Sequence, residues 1–224
     1  MGPSATPAGE EARRTPAPDG GGDTVGVNAR RRGRRTGRVR VVGGAAGGRR
    51  LVTPPGIRPT AERVREALFA SLGDFVVDAT VLELYAGSGA LALEALSRGA
   101  ARAVLVDDAP AAVAACEANA AATGFADVAR VRRARAATLV GGPAPPEAPF
   151  ALVLLDPPYD AAPAELGAVL AGLTRPGWLG AHARVVVETA RAGPEPVPSA
   201  GLDVRSRRPY GDTLLTTLGP TPGS

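Results

Sequence analysis

The chain has 224 residues, of which 45% are hydrophobic, and this length accommodates one domain with appendages. A single cysteine, Cys116, excludes an internal disulfide, and a single histidine, His182, disfavours a histidine-based metal site or a Ser-His-Asp hydrolase. The sequence has no run of about 18 apolar residues and begins without an apolar signal segment, so we expect a cytoplasmic protein with no membrane span. We also expect a metal-free protein and a monomer, although the sequence itself does not show the oligomeric state.

The positive charge is concentrated at the N-terminal end. Residues 1–50 hold 11 Arg against four acidic residues, whereas residues 51–224 hold 15 Arg against 18, and the net charge of the chain is +4. The block ARRRGRRTGRVR at 29–40 indicates contact with a polyanion such as nucleic acid, although a solvated basic tail would have the same composition. Residues 1–37 lack an apolar period, which predicts a disordered tail before a folded domain at 38–220.

The first predicted elements form the entry to this domain. VRVV at 39–42 predicts a short strand that leads into a glycine-rich hairpin or loop. Several prolines then precede a predicted helix at 61–72, for which Thr60 is a candidate N-cap.

From residue 79 onwards, apolar runs that predict strands alternate with segments of helical period. The predicted strands are 79–85, 103–107, 128–132, 150–156 and 183–189, and the predicted helices are 89–98, 110–122 and 163–173, with a short helix after the third strand. Two closing strands, 203–208 and 213–218, predict a hairpin. This order predicts a Rossmann-like, doubly wound α/β fold with a mostly parallel seven-stranded sheet and an antiparallel C-terminal hairpin.

The stretch LELYAGSGALALEA at 82–95 combines a strand, a glycine turn and a helix. Gly87 and Gly89 allow the backbone to turn sharply and to approach a ligand closely. Asp107 ends the second strand, where a carboxylate can accept hydrogen bonds from both hydroxyls of a ribose. We therefore expect an adenosine-containing cofactor at the carboxyl ends of these strands. The candidate cofactor-binding residues are Glu83, Ala86, Gly87, Ser88, Gly89 and Asp107.

Glu83 favours one such cofactor over another. The glycine turn also fits the G-x-G-x-x-A pattern of a dinucleotide-binding fold, so NAD remains an alternative, as does a turn with a purely structural role. An acid inside the first strand would repel a pyrophosphate but suits the positively charged amino group of a methionine moiety. These residues therefore favour S-adenosylmethionine.

The fourth strand runs into LVLLDPPYD at 152–160, beside the first strand of a doubly wound sheet and therefore near the methyl group of the cofactor. The Asp156 carboxylate and the Pro157 carbonyl can accept both N–H bonds of an exocyclic base amine and favour a more tetrahedral nitrogen. Pro157 and Pro158 fix φ and hold that carbonyl in place, and Tyr159 offers a ring face for an unstacked base. These four residues are the candidate catalytic set, unless the prolines simply end the strand.

Several segments together resemble one family. DPPY after a strand resembles the signature of class I S-adenosylmethionine-dependent amino-methyltransferases. Four segments resemble the bacterial RsmD family of small-subunit ribosomal RNA guanine-N2 methyltransferases: RVVGGAAGGRRL (40–51), IRPTAERVREALFASL (57–72), LELYAGSGALALEALSRGA (82–100) and RRPYGDT (207–213). The resemblance covers roughly residues 38–218.

The resemblance implies methylation of the N2 amine of one guanine in 16S rRNA, either free or within the 30S particle. By position it implies that Glu83 and the glycines line the methionine end of the cofactor, that Asp107 binds the ribose, and that residues 156–159 hold the target base. The expected RNA contacts lie near the mouth of the site and at the C-terminal hairpin: Arg58, Arg63, Arg65, Arg208 and Tyr210.

The chain departs from the family at Arg135, which stands near the position of an acid expected to face the adenine amine, so we name no adenine contact. Two other functions stay open. A DNA adenine-N6 or cytosine-N4 methyltransferase uses the same pair of acceptors, and a non-catalytic RNA-binding protein could retain the cofactor fold.

Overall fold

The computed structural model describes these parts of the chain: residue 2 and residues 39–55, 61–158 and 161–222. The chain divides into Met1–Thr36 and Gly37–Ser224, and every described helix and strand belongs to the second unit. Apart from residue 2, the predicted disordered tail, 1–37, lies outside the described residues, and so does the candidate N-cap Thr60. No helix in the described ranges is both long and apolar enough to cross a bilayer.

Strands and helices alternate as predicted from residue 79 onwards. The strands are β1 Thr80–Leu84, β2 Arg102–Asp107, β3 Ala129–Arg133, β4 Phe150–Leu155, β5 Leu179–Ala190, β6 Leu202–Tyr210 and β7 Thr213–Pro220. The helices are α1 Glu62–Leu72, α2 Ala90–Ser97, α3 Pro110–Thr123, α4 Ala136–Gly141 and α5 Pro163–Leu173, with a 3₁₀ turn at Gly73–Val76 after α1.

The seven strands form one sheet in the order β3-β2-β1-β4-β5-β7-β6. The first five strands run parallel, and β7 is antiparallel to both β5 and β6. The predicted fold class is therefore confirmed. The chain order reverses between β1 and β4, and ligands of such sheets bind just beyond the carboxyl ends of the strands at this switch point.

The central strands are buried on both faces because an apolar layer covers each face of the sheet. Leu152 and Leu154 of β4 pack in the layer that holds α1, α2 and α3. Val153 and Leu155 pack in the layer that holds α4 and α5. This alternation explains why LVLL reads as a continuous apolar run, and it fixes the face to which each following residue points.

The segment before α1 folds back on itself in a short antiparallel pairing, with the Val41 amide donating to the Arg49 carbonyl, and it is also held by α2. The predicted strand at 39–42 is reduced to a single antiparallel bridge between Arg40 and Arg50. The fully buried carboxylate of Glu94 accepts hydrogen bonds from the amides of Val42 at 2.6 Å and Gly43 at 2.9 Å. These amides are therefore unavailable for a longer ladder.

Candidate active site at the carboxyl edge of the sheet

The glycine turn after β1 has the backbone that its sequence predicts. Gly87 and Gly89 have φ of 56° and 73°, in the left-handed region that favours glycine. A Cβ atom on Gly89 would lie 2.5 Å from Leu105 Cδ2 and 3.3 Å from the sulfur of Cys116. Any larger residue at position 89 would therefore displace the core beneath the turn. Cys116 is fully buried there, as expected for a small hydrophobe.

Asp107 binds the glycine turn directly. One carboxylate oxygen accepts a hydrogen bond from the Gly87 amide at 2.8 Å, and the other accepts one from the Ala109 amide at 3.0 Å. A carboxylate has about four acceptor positions, so the side chain can hold these amides and still accept hydrogen bonds from a ribose. Asp107 thus joins the ends of β1 and β2 around the space where the ribose is expected.

Glu83 supports the turn from inside the protein. It is 2% exposed, and its oxygens accept hydrogen bonds from the amides of Ala92 at 2.9 Å and Leu91 at 3.3 Å, at the start of α2. Burial raises the pKa of Glu83 to about 8; these amides oppose the rise and the charge of Asp156 adds to it. The predicted contact with a cofactor amino group stays a prediction, and it requires this carboxyl to give up its proton.

Asn119 braces the same turn from α3. Its amide nitrogen donates to the carbonyls of Ser88 and Val52, both at 2.8 Å, and its oxygen accepts from the Val52 amide at 2.8 Å. Asn119 is buried, so the three hydrogen bonds tie the entry segment to the glycine turn. Its partners are up to 67 residues away in sequence, so the sequence alone could not name them.

A cavity of about 430 Å³ opens beyond the ends of β1, β2 and β4. It lies at the switch point of the sheet. Its polar lining comes from the ends of these strands and from the first turns of α4 and α5: Tyr85, Asp107, Asp108, Arg135 and Glu165. Pro158 completes the wall toward β4. In the described ranges, no group of three or more His, Cys, Asp or Glu side chains is placed to hold a metal ion.

Tyr85 and Glu165 were not predicted as site residues. The hydroxyl of Tyr85 is buried beside the carboxylate of Glu165, and no hydrogen bond of full geometry joins it to a described residue. Burial, together with the negative charge of Glu165, raises the pKa of Tyr85 to about 12, which keeps the phenol protonated as a donor. Glu165 lies 4.0 Å from the guanidinium of Arg135, so two opposite charges line this wall of the cavity. Only the fold brings α5 to β1, and no local pattern indicates it.

Asp156 follows β4 directly and lies near the glycine turn. Leu155 pairs with Leu84 across the parallel ladder, so Asp156 stands beside Tyr85 at the end of β1. Pro158 lines the cavity, and Pro157 and Pro158 line a neighbouring cleft. Tyr159 lies outside the described residues. Of the candidate catalytic set, Pro158 therefore lines the cavity, and Asp156 and Pro157 directly precede Pro158 in the chain.

The candidate RNA contacts differ in exposure. Arg63 and Arg208 are exposed, and Tyr210 is partly buried against the core. Arg58 lies outside the described residues. Exposure leaves Arg63 and Arg208 able to reach a phosphate, and both stay predictions.

The prediction that Arg65 contacts RNA is wrong. Arg65 is 1% exposed, and its guanidinium donates a hydrogen bond to the Arg40 carbonyl at 2.6 Å. Burial lowers the pKa of Arg65, and the nearby carboxylates, first among them Glu94, counteract this. The residue lies three and four positions before Leu68 and Phe69, on the core-facing side of α1, so the helical period itself indicated burial.

The strand order and the cavity at the switch point are those of the class I methyltransferase fold. A model of the family described as Conserved hypothetical protein 95 matches residues 39–219. The match covers most of the chain, so the chain belongs to this family, and the predicted membership of the RsmD family is confirmed.

Two curated relatives show how far the sequence similarity extends. Ribosomal RNA small subunit methyltransferase D of Escherichia coli (strain K12) is 54% identical over 74 residues, which are 32% of this chain and 37% of that protein. YlbH of Bacillus subtilis (strain 168) is 35% identical over 123 residues, which are 54% of this chain and 67% of that protein. The chain thus matches little more than a third of the length of the Escherichia coli relative.

Solved structures extend the similarity over the whole domain. The protein yhhF of Escherichia coli superposes with a TM-score of 0.71 and 35% identity, over 82% of this chain and 98% of that one. A hypothetical protein from Thermus thermophilus gives a TM-score of 0.65 and 33% identity, over 82% and 99% of the two chains. An RNA methyltransferase of Salinibacter ruber, solved with S-adenosyl-L-homocysteine, has a TM-score of 0.55 and 18% identity and supports the fold alone.

Proposed function

We propose that this protein transfers a methyl group from S-adenosylmethionine to the exocyclic N2 amine of a guanine in 16S rRNA, free or within the 30S particle. The observation that carries the proposal is that Leu155, the residue before Asp156, pairs with Leu84 just before the glycine turn, and that Pro158 lines the switch-point cavity. The name of the Escherichia coli relative, a small-subunit ribosomal RNA methyltransferase, supports the class of substrate. We further propose that the protein acts in the cytoplasm as a monomer.

The residues around the cavity fit this cofactor. Gly87 and Gly89 form the turn after β1 and carry no side chains, so the backbone of the turn is open to close approach by a ligand. Asp107 has acceptor positions beyond those that it uses on the Gly87 and Ala109 amides, which suits the two ribose hydroxyls. Tyr85 and Glu165 offer a donor and an acceptor to the rest of the adenosine. When bound, S-adenosylmethionine supplies an electrophilic methyl group on a sulfonium.

The chain's own contribution to the reaction is alignment. The lone pair of an aromatic amine is delocalised into the ring, and it becomes available when the nitrogen turns tetrahedral. The Asp156 carboxylate and the Pro157 carbonyl accept the two N–H bonds in that geometry, and the consecutive prolines restrict the motion of the carbonyl. Asp156 then holds the proton that the nitrogen loses after methylation. Tyr159 stacks on the base, as proposed from the sequence.

Arginine contacts hold the RNA outside the cavity. Arg63 on α1 and Arg208 on β6 are exposed, and together with Arg58 and Tyr210 they form the proposed RNA contacts. Such contacts bind phosphate and position the RNA but do not read the base. Selection of guanine must therefore come from the residues around Asp156.

The proposal is tested by supplying methyl-labelled S-adenosylmethionine with 16S rRNA, 30S particles or naked DNA, and by identifying the labelled nucleoside after digestion. We expect label in N2-methylguanosine from 16S rRNA, free or assembled. Label that enters DNA alone would support an adenine-N6 or cytosine-N4 methyltransferase. RNA binding without any transfer of label would support a non-catalytic RNA-binding protein.

A further inference from the structure

Glu188 stands beside Asp156 at the carboxyl edge of the sheet. In the parallel ladder of β4 and β5, Leu155 pairs with Val187. The residues that follow them, Asp156 and Glu188, therefore lie at the same level along the two neighbouring segments. Neighbouring strands of a sheet are about 4.8 Å apart. At this spacing, the two acidic residues can reach adjacent atoms of one nucleobase.

Both acids point to the same face of the sheet. Leu155 and Val187 pack in the layer of α4 and α5. Because side chains alternate along a strand, Asp156 and Glu188 point to the opposite layer, which contains α1 and α2. The charge of Asp156 acts on Glu83, which binds amides at the start of α2 in that layer. The two acids thus share the face on which the glycine turn leads into α2.

Glu188 is kept from bulk water but borders a cleft. Glu188 is 7% exposed. Its position on β5 is at the margin of a cleft of about 100 Å³ that Pro157 and Pro158 also line, while its side chain points to the face of the sheet that α1 and α2 cover. Arg65 of α1 lies on the same face of the sheet, and of the carboxylates whose charge acts on its guanidinium Glu94 contributes most and Glu188 least.

The chemistry of the bases gives such a carboxylate a function. Guanine carries an N–H donor at N1, next to its N2 amine. Adenine and cytosine carry an unprotonated acceptor nitrogen next to their amines. An ionised carboxylate accepts hydrogen bonds and donates none, so it attracts the first arrangement and repels the second. A second acid beside Asp156 is therefore a means of telling guanine from the other two bases.

We propose that Glu188 accepts the N1–H of the target guanine while Asp156 and Pro157 hold its N2 amine, and that Glu188 thereby selects guanine over adenine and cytosine. This inference rests on the proposed function, since it concerns the same base in the same site.

2-Aminopurine tests the proposal because it keeps the amine on C2 but has an unprotonated N1. The guanine that the wild-type protein methylates is first mapped, and 16S rRNA is then prepared with either guanine or 2-aminopurine at that position, free or assembled into 30S particles. The value of kcat/KM is measured for both substrates with wild type, Glu188→Gln and Glu195→Gln. Glu195 is a matched control, because it borders the same cleft but is exposed and paired with Arg207 at 3.0 Å.

Wild type is expected to prefer guanine by at least about 30-fold, since a site built to accept a donor rejects the analogue that lacks it. Glu188→Gln should narrow this preference to about 5-fold or less, because the glutamine amide can donate to a bare N1. Glu195→Gln should keep the wild-type ratio. Melting temperature and affinity for S-adenosyl-L-homocysteine establish that each variant is folded and retains its cofactor site.

Two results overturn the role of Glu188 and leave the proposed function intact. In one, wild type methylates guanine and 2-aminopurine equally well. In the other, Glu188→Gln loses activity on both bases in the same proportion, as expected if Glu188 has only a structural role. If Glu188→Gln fails to fold, the wild-type ratio alone decides whether N1–H is needed. Absence of wild-type methylation of unmodified 16S rRNA would instead refute the proposed function, and with it this role.

Discussion

The carboxylate of Asp107 accepts a hydrogen bond from the amide of Gly87 across 2.8 Å, and this contact joins the end of β2 to the turn after β1. The cavity at the switch point opens beside this contact. The position of a ribose in the proposed site therefore depends on a side chain that also shapes the backbone around it.

Asp107→Ala should weaken cofactor binding. The substitution removes the acceptor for the ribose hydroxyls and releases the Gly87 amide, and loss of charge-assisted hydrogen bonds of this kind should raise the Kd for S-adenosyl-L-homocysteine at least about 10-fold. Isothermal titration calorimetry measures this directly. Asp127→Ala, an exposed acid in the loop between α3 and β3, is the control and should bind like wild type. Equal Kd values for both variants would remove Asp107 from the cofactor site.

Gly89→Ala should destabilise the protein for two reasons. The residue has φ of 73°, and its new Cβ would lie 2.5 Å from Leu105 Cδ2. Backbone strain and overpacking together should lower the free energy of unfolding by about 2–4 kcal/mol. Gly124→Ala is the matched control, because Gly124 has φ of 85° but open space around it. Gly124→Ala should lower the free energy of unfolding by about 1 kcal/mol, from backbone strain alone.

Urea denaturation of the two glycine variants separates packing from backbone strain. The difference between Gly89→Ala and Gly124→Ala in the loss of unfolding free energy reports the packing contact beneath the turn at Gly89. If both variants lose the same stability, the core below the turn can accommodate a methyl group and the proposed reason for a glycine there is incorrect.

Arg65→Met should affect folding more than RNA binding. Removing one partner from a buried set of charges should lower the free energy of unfolding by about 2–4 kcal/mol. The salt dependence of RNA binding should not change, because Arg65 is buried. Arg63, two positions away, is exposed. Arg63→Met should therefore leave the free energy of unfolding nearly unchanged and reduce the slope of log K for RNA binding against log salt by about 1. A reduced slope for Arg65→Met would restore Arg65 as an RNA contact.

Glu83 should make the stability of the protein depend on pH. Its pKa is raised from 4.5 to about 8 on folding, chiefly by burial. Between these values the folded state binds more protons than the unfolded state, so the contribution of Glu83 to stability is fully present below pH 4.5 and is lost as the pH rises toward 8. The slope that it can cause is at most about 1.4 kcal/mol per pH unit.

Urea denaturation at several pH values between 5 and about 8 tests this contribution of Glu83. Glu83→Gln cannot titrate, so its stability should fall less steeply with pH than that of wild type. Glu117→Gln, an exposed position on α3, should keep the wild-type slope. Parallel curves for wild type and Glu83→Gln would show that Glu83 is already ionised at pH 5.

Local patterns predicted the features that depend on neighbours in sequence. The apolar run before Asp156 and the glycines at 87 and 89 fix a strand end and a turn through their own backbone preferences, and the fold class follows from the order of such elements. Tyr85, Glu165 and the partners of Asn119 required the tertiary structure, because α5 and the entry segment reach the site from distant parts of the chain.

The error at Arg65 has a different cause. A charged residue on a helix is usually exposed, and this expectation outweighed a helical period that places Arg65 among core residues. The surrounding carboxylates that compensate its burial come from other parts of the chain. Glu188 was missed because its position beside Asp156 follows from the pairing of β4 with β5, which no local pattern indicates.

The central claim is that Asp156 presents a guanine amine for methylation. Its most direct test is the yield of N2-methylguanosine from 16S rRNA, measured by mass spectrometry after single-turnover reactions of wild type, Asp156→Ala and the control Asp127→Ala. Asp156→Ala should lower the rate at least about 100-fold while its affinities for S-adenosyl-L-homocysteine and RNA stay near those of wild type. Asp127→Ala should react like wild type. Methylation by Asp156→Ala at the wild-type rate, or a wild-type product other than N2-methylguanosine, would contradict the claim.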